Sequence, residues 1–227
     1  MSRLGVPCLY STSIKIQNPT TRHDRWLLTL PQTATAPNAF TQTLALAGEF
    51  LGHPVDALHL AVPTPVAIHF GQDGIGRDAI RKVYFECPDP PPAPVFIALK
   101  AGAKGCERHH YTPCSTLEEL PHLQLPPNLH DRLCAFLKSL PGDTAALKVT
   151  STASTRISVD INLCDVPLRT AHHDHIAALI AQIDPSYPGL GMTTQGISHI
   201  AVGLTADGNA FLTLYGPPTW LSPESSG

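Results

Sequence analysis

Between Val66 and Lys100, three runs of alternating residues leave this chain little choice but to form a β-meander. The runs are VAIHF, IRKVYFE and VFIALK; the glycine-rich turn GQDGIGRD joins the first two and the proline-rich CPDPPPAP the last two. Side chains on a strand alternate between two faces, so a period of two marks a strand with one buried face. Here it collects Val66, Ile68, Phe70, Val83, Phe85, Val95, Ile97 and Leu99 on one face. The other face carries Ala67, His69, Lys82, Tyr84, Glu86, Phe96, Ala98 and Lys100. A polar face of this kind is either a solvated outer surface or, in a sheet that curls with its helices outside, the lining of a cavity.

The same sorting recurs along the chain. Residues 8–16 and 25–30 read as two strands, with Arg25, Leu27 and Thr29 opposite Trp26, Leu28 and Leu30. Asn38 is placed to cap a helix over residues 39–51, which Gly52 stops. The segment from Gly102 to Pro127 is polar and punctuated by proline, and no element is assigned to it. A helix is expected over 128–140, ended by Pro141-Gly142, and another over 169–183. ALKVTSTA with STRISVDINLC, and SHIAVGLT with AFLTLYG, read as two hairpins. In the first, Ile157, Val159, Ile161 and Leu163 oppose Ser158, Asp160, Asn162 and Cys164. In the second, Ile200, Val202, Leu212 and Leu214 oppose His199, Ala201, Phe211, Thr213 and Tyr215.

The count is nine or ten strands against three helices, in repeated helix-then-hairpin units. Hairpin links favour antiparallel neighbours, and a sheet of this many strands curls or closes. The expected fold class is therefore α+β: an antiparallel β-barrel or strongly curled sheet with its helices on the outside. Residues 1–220 are read as one domain and 221–227 as a flexible tail.

Charge narrows the partners. The formal net charge of −3 lacks the basic excess of a nucleic-acid binder. No stretch approaches the roughly 20 apolar residues of a membrane span, and the first residues show no signal-like apolar core. Cys8, Cys87, Cys106, Cys114, Cys134 and Cys164 are scattered rather than arranged as a disulfide framework, which suits reduced thiols. A cytoplasmic protein is expected.

The polar faces together offer Lys15, Arg25, His69, Lys82, Tyr84, Lys100, Asn162, His199, Thr213 and Tyr215, with Glu86 and Asp160 as carboxylates. Cations and hydrogen-bond donors that converge suit a diphosphate. Tyrosine faces beside them can shelter a carbocation, and a carboxylate can take a proton. The K-x-Y strand RKVYFE, with Lys82 and Tyr84 on one face, resembles strands of the aromatic prenyltransferases of the ABBA, or prenyltransferase-barrel, type. FLTLYG with Tyr215 and SVDINLC with Asn162 resemble later strands of that family. The resemblance spans most of residues 64–216.

It implies a ten-stranded antiparallel barrel wrapped by helices, in which basic residues hold a prenyl diphosphate beneath a tyrosine shield. Lys82 and Lys100 would bind the diphosphate with Arg25, His69, Asn162 and Thr213. Tyr84 and Tyr215 would shield the allylic cation, and Glu86 or Asp160 would accept the proton. The partners would be two small molecules, a prenyl diphosphate and an aromatic or other nucleophilic acceptor. No cofactor is assigned, beyond the Mg2+ that a diphosphate can bring with it. The alternative is a non-catalytic barrel that binds a small molecule or serves as a protein partner in a biosynthetic pathway.

Two other constellations are weighed and set aside. Cys106, His109, His110 and Cys114 are zinc-ligand types, but no second knuckle pairs with them, so no metal is assigned. His172, His173 and His175 open a helix, where a solvated cluster is the ordinary outcome. No G-x-S-x-G, G-x-G-x-x-G or Walker sequence is present: the glycines of GQDGIGRD belong to a hairpin turn.

Overall fold

The computed structural model describes residues 7–31, 39–55, 65–88, 95–103, 105–114, 124–151, 157–187 and 196–221. Within them lie β1 (Cys8–Ile16), β2 (Arg22–Pro31), α1 (Ala39–Leu51), β3 (Ala67–Asp73), β4 (Ile80–Glu86), β5 (Phe96–Gly102) and β6 (Gly105–Pro113). α2 (Pro127–Ser139), β7 (Ala146–Ser151), β8 (Ile157–Asn162), α3 (Thr170–Ile183), β9 (His199–Leu204), β10 (Ala210–Tyr215) and β11 (Thr219–Leu221) follow. The strands hydrogen-bond in the order β10-β9-β8-β7-β6-β5-β4-β3-β2-β1-β11, and β10 also pairs with β1. The ladder thus returns to its own first strand, the topology of an antiparallel barrel of ten strands with β11 appended to β1. The expected α+β barrel is the observed fold class.

The chain forms two compact units. One comprises Met1–Thr12, Asp24–Thr112 and Pro218–Gly227; the other comprises Ser13–His23 and Pro113–Pro217. In the first, the registers Ile68↔Phe85, Phe70↔Val83 and Phe85↔Ile97 put the apolar residues of β3, β4 and β5 on one face. That face joins Leu28 and Leu30 of β2 and packs under Ala47 and Leu51 of α1. Phe50 of α1 meets Trp26 and Phe70 at ring-centroid distances of 5.9 and 5.7 Å. Gly52 ends α1 because its φ of +71° is the left-handed conformation a helix C-terminus favours, and His53 N–H then returns to Gly48 O at 3.1 Å. The expected cap, Asn38, lies outside the described residues.

In the second unit, α2 buries Leu129, Leu133 and Phe136, and α3 buries Ile176, Leu179, Ile180 and Ile183. Both helices cover Val159, Ile161, Ile200, Val202, Leu212 and Leu214 from β8, β9 and β10. Each such aliphatic or aromatic side chain stabilises the fold by about 1.5–3 kcal/mol relative to exposure. Pro127 sits at the first turn of α2, where its missing N–H costs no helical bond.

Several boundaries differ from the sequence reading, and β2 already begins at Arg22 rather than Arg25. β3 runs on to Asp73, so GQDGIGRD is part strand, and its turn is a single 3-10 turn over Gly76–Asp78. The unassigned polar segment contains β6, which pairs with β5 from Phe96↔Tyr111 to Gly102↔Gly105. Leu221, expected as the first residue of the tail, instead closes β11 by pairing with Cys8, as Trp220 and Thr219 pair with Leu9 and Tyr10. Residues 222–227, expected as a tail, lie outside the described residues. No helix among the described residues is long and apolar enough to cross a membrane.

Candidate active site

The polar face of the first unit is assembled by register. Arg25↔Asp73 and Thr29↔His69 join β2 to β3, and Gly71↔Lys82 and His69↔Tyr84 join β3 to β4. Lys82↔Lys100 joins β4 to β5, and Lys100↔Glu107, Ala98↔His109 and Phe96↔Tyr111 continue to β6. Directly opposed residues share a face. Arg25, His69, Lys82, Tyr84, Glu86 and Lys100, all named from the sequence, are therefore brought together on one face.

Three of these are cations out of bulk water: Arg25 is 5% exposed, Lys82 7% and Lys100 8%. Buried charge must be paired or bound, and here Asp73 does much of the pairing. Its Oδ1 accepts from Arg25 Nε at 2.7 Å and its Oδ2 from Lys82 Nζ. Burial alone would push the Asp73 carboxyl up, but Lys82 and Arg25, by charge and by hydrogen bonding, outweigh it and hold the group well below the usual carboxylate range. Lys100 Nζ stands 5.8 Å from the ring centroid of Tyr111. Two lysines directly opposed on neighbouring strands repel one another, and this face sets carboxylates beside them: Asp73 bonds Lys82, and Glu107 is directly opposed to Lys100.

Beside the cations is a closed circuit of four rings. His69 meets Tyr84 at 6.4 Å and Phe96 at 5.5 Å, and Tyr111 meets Tyr84 at 5.8 Å and Phe96 at 5.9 Å, all edge-on. Gly71 leaves room next to them: a Cβ there would come 3.1 Å from Leu27 Cδ1 and 3.7 Å from the Tyr84 ring. His69 also bridges Thr29 and Glu86, with Nδ1 2.8 Å from Thr29 Oγ1 and Nε2 3.3 Å from Glu86 Oε2.

The second unit has a polar face of its own. Ser13↔Tyr215, Lys15↔Thr213, Thr213↔Ala201, Asp160↔Ala201 and Asn162↔His199 set it. Thr213 is buried, Lys15 lies 4.6 Å from the Phe211 ring centroid, and Tyr215 meets His199 edge-on at 6.2 Å. Asp160 is half-buried, whereas Asn162 is exposed and its Oδ1 accepts from Cys164 N–H at 2.9 Å, closing the turn after β8.

The residues of the first face that the sequence reading did not place there are Asp73, Glu107, His109 and Tyr111. The signal for Tyr111 was present in the alternation Glu107, His109, Tyr111 against Cys106, Arg108, His110. It is invisible to hydrophobic periodicity because both sets are polar. The same alternation sends His109 and His110 to opposite faces and separates Cys106 from His110 by about 13 Å of strand. No group of three or more metal-ligating side chains occurs among the described residues. Asp73 already holds two cations, so its oxygens do not suit a resident Mg2+ either. His172, expected on a solvated helix start, is buried instead: it accepts from Arg169 N–H at 3.0 Å through Nδ1, and its Nε2 reaches Ser139 O at 3.1 Å.

No family model matches the sequence, and no curated protein is similar to it in sequence. In three dimensions the chain is similar to the aromatic prenyltransferases. The structure of 5-dimethylallyltryptophan synthase from Streptomyces coelicolor matches with a TM-score of 0.61 at 12% identity, over 92% of this chain and 80% of that one. The same enzyme in complex with DMASPP and Trp matches with a TM-score of 0.60 at 13% identity, over 92% and 78%. AnaPT from Neosartorya fischeri matches with a TM-score of 0.55 at 14% identity, over 92% and 78%. At these identities the likeness is one of fold: the chain has the prenyltransferase-barrel fold.

Proposed function

We propose that this protein transfers a prenyl group from a prenyl diphosphate to an aromatic or other nucleophilic acceptor. The observation that carries the reading is the pair of buried lysines, Lys82 and Lys100, directly opposed beside the four-ring circuit. Lys82 and Lys100, with Arg25, hold the diphosphate and stabilise the negative charge that grows on it as the allylic C–O bond breaks. Tyr84 and Tyr111 present ring faces to the allylic cation, and their packing against Phe96 and His69 fixes their orientation. Glu86 receives the proton released by the acceptor. Support also comes from the fold shared with an enzyme whose solved complex contains DMASPP and Trp.

One observation favours a second reading, a non-catalytic barrel that serves as a binding or partner subunit. Asp73 already pairs with both Lys82 and Arg25, as in a purely structural ion cluster. Calorimetry with a non-hydrolysable prenyl diphosphate analogue decides between them. Under the enzyme reading the wild type binds, and Lys82→Ala binds about tenfold to a hundredfold more weakly, the worth of a charge-assisted hydrogen bond of roughly 1.5–3 kcal/mol. No binding by the wild type, or equal binding by Lys82→Ala, leaves the non-catalytic reading.

A further inference from the structure

Three side chains on three adjacent strands of the first unit form a line that diphosphate binding does not use. Thr29 of β2 is directly opposed to His69 of β3, and its Oγ1 is 2.8 Å from His69 Nδ1. His69 Nε2 is 3.3 Å from Glu86 Oε2 of β4. As a carboxylate, Glu86 only accepts, so the proton of this contact sits on Nε2. In the neutral ring Nδ1 is then a lone pair, and the hydrogen of the 2.8 Å contact comes from the Thr29 hydroxyl. With His69 neutral the line runs one way: Thr29 donates to His69, and His69 donates to Glu86. One end, Thr29 Oγ1, keeps acceptor capacity for a further donor. The other end, the Glu86 side chain, is 35% exposed and able to pass a proton to water, whereas the His69 side chain between them is 14% exposed.

We infer that Thr29, His69 and Glu86 form a proton relay for a hydroxyl acceptor, so that the transfer read above forms an ether at oxygen rather than a bond to ring carbon. This rests on the prenyl-transfer reading and narrows its acceptor class. The chemistry distinguishes the two outcomes. Attack by a ring carbon gives a ring cation whose C–H proton any weak base removes, so a built relay would be superfluous. A phenolic hydroxyl ionises only near 10 and is a better nucleophile if its proton leaves as the new bond forms. The acceptor O–H proton passes to Thr29 Oγ1 as the Thr29 proton moves to His69 Nδ1 and the Nε2 proton moves to Glu86. The new C–O bond forms at the allylic carbon, and the electron pair of the broken C–O bond leaves with the diphosphate. Thr29 is the catalytic residue that touches the acceptor; His69 and Glu86 act through it. His69 is held edge-on by Tyr84 and Phe96, which preserves the alignment.

The test uses the full chain with dimethylallyl diphosphate and 1-naphthol, a probe that offers both a hydroxyl and activated ring carbons. The wild type is expected to give the aryl ether, with a normal solvent deuterium isotope effect on kcat. Thr29→Val, which keeps the shape and removes the hydroxyl, should lower kcat about 100-fold with little change in KM, the scale of general acid–base assistance. Thr29→Ser should restore turnover, and added imidazole should partly rescue His69→Gly. A carbon-prenylated product alone, or undiminished ether formation by Thr29→Val, overturns the relay while leaving prenyl transfer standing. Binding of the donor analogue without turnover of 1-naphthol overturns the relay too. Absence of donor binding overturns prenyl transfer and the relay together.

Discussion

Asp73→Asn is the most informative single change in this molecule, because it removes one charge and almost no volume. Asp73 is 8% exposed and its two oxygens serve two different cations, Arg25 and Lys82. The amide keeps one acceptor oxygen, so what is lost is chiefly the charge that offsets two buried positive groups. Removing one member of a buried charged cluster costs about 3–5 kcal/mol, because the remaining charges stay desolvated with less compensation. In a chain of this size each kcal/mol moves the melting temperature by about 2–4 °C, so a fall of roughly 6–20 °C is expected. Differential scanning calorimetry measures it, and a cycle with Lys82→Met separates pairing from shape. If the two groups are coupled, the double variant loses less than the sum of the singles, by about 0.5–3 kcal/mol. Inorganic diphosphate adds a functional readout: a ligand at a hundred times its Kd returns about 2.7 kcal/mol of stability, and Asp73→Asn should respond at lower concentration than the wild type. A melting temperature lowered by under about 2 °C, with additive singles, would refute the electrostatic account of this face.

The lowered Asp73 pKa also sets a pH dependence. A carboxyl depressed by folding contributes stability that is complete above its unfolded value of 3.8 and is lost as pH falls below it toward the folded value. Acid titration of the melting temperature should therefore show a loss in the wild type below that point that is smaller in Asp73→Asn. Gly203→Ala should destabilise by about 3 kcal/mol, since its Cβ would lie 2.4 Å from Ser158 Cβ and 2.6 Å from Ile157 O; the urea midpoint reports it. His172→Ala should cost about 1–3 kcal/mol by leaving Arg169 N–H and Ser139 O without their partner, read as lost hydrogen-exchange protection at the start of α3.

How much of this was legible in the residues depended on whether a strand buries one apolar face. β3, β4 and β5 do, so alternation alone placed Lys82 with Tyr84 and Lys100 and set Val83 and Phe85 against them; the registers agree residue for residue. β6 presents Glu107, His109 and Tyr111 on one side and Cys106, Arg108 and His110 on the other, so no hydrophobic period exists to find. Asp73 was hidden for a different reason. It stands in Gly-Gln-Asp-Gly, a turn-rich composition, and only its pairing with Arg25, 48 residues earlier, shows that the strand continues through it. His172 was hidden because its partner, Ser139, belongs to another helix. Local pattern carries the period of a strand; it does not carry the identity of a distant partner.

The Asp73 cluster bears on both readings of function. Without a bound anion, Arg25 and Lys82 need a counter-charge, and Asp73 supplies it from the end of β3, next to the exposed turn at Ile75. A diphosphate arriving at Lys82 and Lys100 would meet Lys82 already engaged by Asp73. Its affinity would be the difference between its own bonds to these cations and the bond to Asp73 that it weakens. A diphosphate carries several negative oxygens against a single carboxylate and could span both lysines at once, whereas Asp73 offers Lys82 one oxygen, Oδ2. The exchange therefore favours the larger anion while keeping the ligand-free face intact. Under the prenyl-transfer reading it would also favour release, since Asp73 would compete with the departing diphosphate for Lys82. Replacing Asp73 by Asn should accordingly slow diphosphate dissociation more than it speeds association, a split that stopped-flow displacement measures directly. An unchanged off-rate would mean that Asp73 serves the fold alone.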